Sequence, residues 1–217
     1  MIKKEGLKKD YRLYFYGQKK QVQQGNCQAP LFRAPKIGYF YGLAFVAALL
    51  VLLVFDFKLS EAITSLRFDA LSSIMIILSS TALEAVMVLG ASAIVFLNNK
   101  KKLLHLWLSY AITLACSYIL KIIIARPRPF EAGISAFDSL IKESYSKFDF
   151  SFPSNHAALA FVPLLFLPKK WKIPWLVLAV LIALSRVYLG LHYLSDVAAG
   201  AALAVFVSYI LINKLRI

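Results

Sequence analysis

Long stretches without charge constrain this chain more than any other feature. Gly38 to Phe55 carries no charge at all, Leu71 to Leu97 carries only Glu84, and Leu103 to Ile124 is interrupted only by His105 and Lys121. Three shorter apolar runs follow: His156 to Leu167, Ile173 to Leu189 with Arg186 near its end, and Val197 to Ile212. A helix needs about 20 apolar residues to cross a hydrocarbon core roughly 30 Å thick. Inside that core every backbone polar group must be paired within the protein, which leaves helices and closed barrels. Composition agrees, since 60% of the 217 residues are hydrophobic and a soluble domain holds about 45–50%. The runs predict an all-α integral membrane bundle of six transmembrane helices.

The charges choose its orientation. The formal net charge is +14, but Lys and Arg gather at the ends of the apolar runs rather than along a soluble face, so nucleic acid is not the expected partner. Counted on alternating sides from a cytoplasmic N-terminus, seventeen Lys and Arg fall inside and six outside. This positive-inside bias predicts six spans with both termini cytoplasmic. Residues 1–36 read as a basic cytoplasmic tail, with no apolar core placed for a signal peptide, and 37–217 as the six-span domain. Within the tail, Tyr11 to Tyr16 among lysines fits either a segment lying on an anionic membrane surface or a partly disordered tail that only sets topology. Asp56 to Asp69 reads as a short amphipathic stretch. Cys27 and Cys116 form no framework, and no disulfide is expected.

Three polar clusters fall on the same side, the outer one in this topology. Lys121 to Pro129 (KIIIARPRP) closes the third span, where two prolines end the helix. It gathers cations at an extracytoplasmic end, where they are under-represented; the plain alternative is a snorkelling interfacial cluster. Phe152 to His156 opens the fourth span, with Ser154 or Asn155 as helix cap. A helix N-terminus there is a ready anion site with His156 on its first turn, and the plain alternative is a cap beside an interfacial histidine. In the third cluster, Ser185 to Asp196, His192 and Asp196 are four apart and share a face if helical. The carboxylate can then orient one ring nitrogen and leave the other as a nucleophile, or the pair can serve as a structural bond or proton relay.

Together Lys121…Arg128-Pro129, Pro153-Ser154-Asn155-His156 and Ser185-Arg186…His192…Asp196 resemble the three-part signature of the type 2 phosphatidic acid phosphatase superfamily. The signature spans about 75 residues. One position departs: Asn155 stands where the family usually has Gly, which bears on substrate choice more than on activity. The resemblance implies a membrane phosphatase acting on a lipid phosphomonoester or diphosphate: polyprenyl diphosphate, phosphatidic acid or phosphatidylglycerol phosphate. It implies that His192 attacks phosphorus, Asp196 fixes its tautomer, and His156 protonates the departing oxygen and later activates water. Lys121, Arg128 and Arg186, with Ser154 and the amide at Asn155, would hold the phosphoryl oxygens. Three cations make activity without a metal or other cofactor the expectation, and membrane lipids the expected surroundings, with the site at the outer face of a plasma membrane.

Several residues stay outside that scheme. Arg126 is expected in a supporting role, at phosphate or at the interface. Glu84, costly in lipid, invites a cationic partner such as Lys121, and His105 reads as interfacial. Asp138 to Asp149 is expected to lie over the pocket. Transfer of phosphate or a phospho-headgroup to another alcohol is the alternative chemistry. Transport is disfavoured because the polar residues gather at one face.

Overall fold

The computed structural model describes residues 36–134 and 149–214. The tail through residue 35, with its Tyr11 to Tyr16 patch and Cys27, and most of the Asp138 to Asp149 segment lie outside the described residues. Among the described residues the regular structure is all helical: α1 (Lys36–Ser65), α2 (Asp69–Leu78), α3 (Thr81–Asn98), α4 (Lys100–Ile124), α5 (Asn155–Phe161), α6 (Lys169–Tyr188) and α7 (Leu194–Lys214). A 3₁₀ turn at Val162–Leu165 continues α5. Phe45–Ile217 forms one compact unit that contains the whole site.

Four described helices, Thr81–Asn98, Lys100–Ile124, Lys169–Tyr188 and Leu194–Asn213, are long and apolar enough to cross a bilayer. Their packing is inverted relative to a water-soluble bundle. Leu97 and Ile122 are 81% and 73% exposed, whereas Ser109, Thr113, Ser117 and Lys121 are buried. Those four buried residues recur every four positions and so form one inward stripe of α4. Lipid tails solvate the outward leucines and isoleucines, while the polar groups pair inside. The chain is an integral membrane protein.

Two expected elements differ in outline. The run Leu71 to Leu97 is broken at Ser79–Ser80 into α2 and α3 rather than forming one span. Ser80 adopts an extended backbone and accepts a hydrogen bond from the Leu83 N–H, capping α3, a hydroxyl's preferred place over a helix interior. The stretch after Phe55 is not a separate amphipathic element, because α1 runs on to Ser65. The expected fourth span is also short: α5 and its 3₁₀ turn end at Leu165, with Pro163 inside the turn and Pro168 just beyond. At 11 residues it is shorter than the hydrocarbon core, but it packs against α3, α4, α6 and α7.

The core lies around α5. Met87, Ala91 and Val95 of α3, Leu106 and Tyr110 of α4, Trp175, Ala179 and Ile182 of α6, and Ala204 of α7 enclose Ala158, Ala160 and Val162. Trp175 donates its indole N–H to the Ala160 carbonyl at 2.9 Å, so its one polar atom is not left orphaned. Gly200 allows α7 and the start of α5 to touch: a Cβ there would overlap the Ser154 carbonyl oxygen. This contact sets the α5 N-terminus against the helix that carries Asp196.

Candidate active site

Four segments converge on one cavity. The first is the end of α4, closed by Ala125 in a left-handed conformation (φ 46°) whose N–H bonds the Lys121 carbonyl. The second is the segment 149–154, tied down by Ser151 N–H to the Arg126 carbonyl (2.8 Å) and Ser154 N–H to the Asp196 carbonyl (3.0 Å). The third is the α2–α3 break. The fourth is the turn between α6 and α7, where Gly190 takes a positive φ of 73°, the conformation glycine adopts without steric cost.

The cavity measures about 310 Å³, and Lys121, Arg128, Arg186, Asn155, His156 and His192 line it together with Glu84 and Asp149. Leu114, Tyr118 and Leu159 supply its apolar wall. Three cations, Lys121 and Arg128 from the end of α4 and the chain just after it and Arg186 from the end of α6, therefore meet in one space, and each is held from behind. Lys121 donates to the Phe150 carbonyl and lies 3.7 Å from Asp149. Arg128 contacts the Asp149 carboxylate at 3.1 Å and the Leu191 carbonyl at 2.8 Å. Arg186 donates to the carbonyl and hydroxyl of Ser79 at the helix break. Asp149 is the one part of the expected covering segment that is described, and it does reach the pocket.

His192 sits just ahead of α7 rather than within it, and Asp196 lies in the first turn of that helix. Their contact, Nδ1 to Oδ2, is 3.5 Å, slightly longer than an ordinary hydrogen bond. On the other side of the ring, Nε2 lies 3.3 Å from Arg128 Nη1. With Nδ1 toward the carboxylate, Nε2 keeps its lone pair toward the cavity. Burial, followed by the charges of Arg128, Arg186 and Lys121, holds the His192 imidazole well below its ordinary value of 6.5. The ring is thus kept neutral, the form that can attack an electrophile.

Asp196 is fully buried and does not reach the cavity. It accepts hydrogen bonds from Arg126 Nη1 (2.7 Å), from the Tyr193 N–H (2.8 Å) and from the Ser151 hydroxyl. Arg126 does not line the cavity either: its other arm bonds Asp56 of α1 at 2.9 Å, and its guanidinium lies 3.9 Å over the Tyr193 ring. Ser195 closes the square, donating its N–H and hydroxyl to Asp56 and accepting from Arg126. Sequence reasoning passed over Asp56, Ser151 and Ser195. Only Asp56 left a signal, as an acid directly ending an uncharged run.

Around α5, Ser154 occupies the cap position but its hydroxyl makes no cap bond and is buried without a partner among the described residues. Asn155 begins the helix and accepts from the Ser117 hydroxyl, which turns its amide along α4. Glu84 is not paired with Lys121: it lies in the first turn of α3, 3.5 Å from His156 Nε2. The break at Ser79–Ser80 moves Glu84 from mid-span to the pocket wall.

The residues gathered here also place the chain among known proteins. The PAP2 superfamily model matches residues 102–216. The chain belongs to the PAP2 superfamily. It is 30% identical over 161 residues to an undecaprenyl-diphosphatase of Sulfolobus acidocaldarius, covering 72% of this chain and 76% of that protein. It is 27% identical over 162 residues to the undecaprenyl-diphosphatase BcrC of Bacillus subtilis, covering 71% and 81%. The crystal structure of a transmembrane PAP2-type phosphatidylglycerolphosphate phosphatase from Bacillus subtilis shares the fold, with a TM-score of 0.62 at 24% identity over 80% of this chain and 95% of that one. The PAP2 match holds both histidines and all three pocket cations, whereas Asp56, Ser79 and Glu84 lie N-terminal to it.

Proposed function

We propose that the protein is a lipid phosphate phosphatase that works through a phosphohistidine on His192, with a polyprenyl diphosphate as its first-choice substrate. The observation that carries this reading is the meeting of Lys121, Arg128 and Arg186 around the Nε2 face of a neutral, carboxylate-backed His192. Phosphoryl transfer is mostly positioning and charge stabilisation, and three preset cations supply both. His192 Nε2 attacks phosphorus while the bond to the leaving oxygen breaks and His156 gives that oxygen a proton. Water then attacks the phosphohistidine, His156 takes the water's proton, and the N–P electron pair returns to His192. Asp196 holds the tautomer and balances the imidazolium that forms. The Asn155 amide serves the phosphoryl oxygens beside the cations, Ser154, buried and off the cavity lining, holds the start of α5 behind it, and Arg126 supports Asp196 rather than the substrate.

The diphosphate is favoured because two relatives are undecaprenyl-diphosphatases; the apolar wall of Leu114, Tyr118 and Leu159 suits a chain that remains in lipid. We place six crossings in the membrane, with α1 first and the short α5 shielded by its neighbours. Both termini are cytoplasmic and the site lies at the outer face of the plasma membrane, as the distribution of Lys and Arg favours. The test is phosphate release by purified protein in detergent with chelator present. A polyprenyl diphosphate, phosphatidic acid and phosphatidylglycerol phosphate are run beside His192→Ala. Release by the parent and a loss of about 10⁴-fold or more in the variant is expected; no release from any lipid by folded protein would overturn the reading. Product other than free phosphate would point to transfer.

A further inference from the structure

We propose that Glu84 is the positioning residue for the proton donor: its carboxylate sustains His156 as an imidazolium, so cleavage depends on Glu84 more strongly the poorer the leaving group. The inference rests on the phosphatase reading above and extends it to the choice between phosphomonoesters and diphosphates.

His156 has difficult neighbours. Arg186, Lys121 and Arg128 line the same cavity, as does His192, and each cation opposes a second positive charge on the ring. Among the described residues, two carboxylates also face the cavity. Asp149 is engaged by Lys121 and Arg128, which leaves Glu84, at 3.5 Å from His156 Nε2, as the acid able to balance the ring. Glu84 also lies in the field of Arg186, but its contact at ion-pair distance is to His156. Helix α3 is already capped by Ser80, and Glu84 Oε1 is buried without a hydrogen-bond partner among the described residues. A carboxylate is costly within an apolar helix and is retained where it has a task.

The chemistry sets what that task is worth. When the His192–phosphorus bond forms, the electron pair of the breaking P–O bond leaves on oxygen. From a lipid phosphomonoester that oxygen is an alkoxide, strongly basic, and it needs the His156 proton in the transition state. From a lipid diphosphate it is the lipid monophosphate, whose second pKa is about 6, and from p-nitrophenyl phosphate it is a stabilised phenolate. Both need the proton far less.

The experiment measures kcat/KM, which reports the steps through P–O cleavage, for p-nitrophenyl phosphate, phenyl phosphate and phosphatidic acid with the parent and Glu84→Gln in detergent. The expected result is a loss of about 100-fold on phosphatidic acid, the size of a general-acid contribution, but no more than about fivefold on p-nitrophenyl phosphate, with phenyl phosphate between. Inhibition by inorganic phosphate stays within about twofold of the parent, showing an intact cation pocket. Equal losses on all three esters, or none on any, would overturn the proposal. Should E84Q fail to fold, Glu84→Asp reads the same ratio, and a parent-like ratio in that variant counts against the inference. A parent inactive on all three esters and on a polyprenyl diphosphate would instead defeat the phosphatase reading itself.

Discussion

The two histidines face one cavity, but they are held in different ways. His192 is 2% exposed, and behind it the buried Asp196, Ser195 and Asp56, bridged by the partly exposed Arg126, form a chain of charged and hydroxyl groups reaching to α1. His156 keeps a side-chain exposure of 17%, and its carboxylate, Glu84, faces the same cavity at 19%. A nucleophile must present one nitrogen at one angle in every turnover, and multiple buried bonds secure that. A group that gives and retakes a proton needs access to leaving group and water, so a looser, pocket-facing partner suits it. On the proposed mechanism, the same pairing, histidine with carboxylate, serves orientation on one side and charge balance on the other.

Asp196→Asn breaks the comparison most severely. The amide keeps the shape but loses the charge that matches both His192 and Arg126, and it can favour the wrong tautomer; kcat should fall about 10³–10⁴-fold, read with a polyprenyl diphosphate at saturation. Asp56→Asn acts one link further back. It leaves one arm of Arg126 without its counter-charge at a site buried far from substrate. We expect kcat to fall about tenfold, a few times RT in barrier terms, with KM within twofold because neither residue lines the cavity. A KM effect larger than the kcat effect would place Asp56 in substrate binding and undo the distinction.

Gly200→Ala tests the wall common to both histidines. The added methyl must displace the Ser154 carbonyl, shifting α5 and His156 relative to Asp196. A loss of about 1–3 kcal/mol, seen as lower thermal stability in detergent together with impaired turnover, is expected. The smallest effect concerns acid. Because the folded protein holds His192 unprotonated below the ordinary 6.5, the unfolded chain binds more protons as pH drops under that value, so stability falls from there downward. His192→Gln should flatten that acid slope, measured as melting temperature between pH 7 and 5.

Much of the site was legible because catalysis of this kind writes itself as cations and histidines at fixed spacings beside prolines and apolar runs. Lys121, Arg128, His156, Arg186 and His192 stood out as polar groups at the ends of apolar runs, the resemblance to the family signature assigned them to one site, and the structure brings all five to one cavity. The helices were legible wherever apolar runs ended at lysines. Other features were hidden for physical reasons. The break at Ser79–Ser80 lies inside a run apolar enough to read as one crossing, and its use becomes visible only when Arg186, 107 positions away, donates to Ser79. Arg126 looks like one more cation of the cluster, yet Asp56 and Asp196 draw it away from the pocket. Asn155 reads as a cap, but Ser117 claims its carbonyl. In each case a partner distant in sequence decides the outcome, and local pattern carries no trace of it.

The most direct test of the account is to trap the phosphorylated enzyme. His156→Gln, which cannot activate water, is mixed with p-nitrophenyl phosphate, quenched in base and mapped by mass spectrometry. The account predicts one base-stable, acid-labile phosphate on His192, formed with a burst of p-nitrophenol and absent when His192 is also replaced. A burst with the phosphate on any other residue, or turnover by an enzyme lacking His192 at the parental rate, would contradict it.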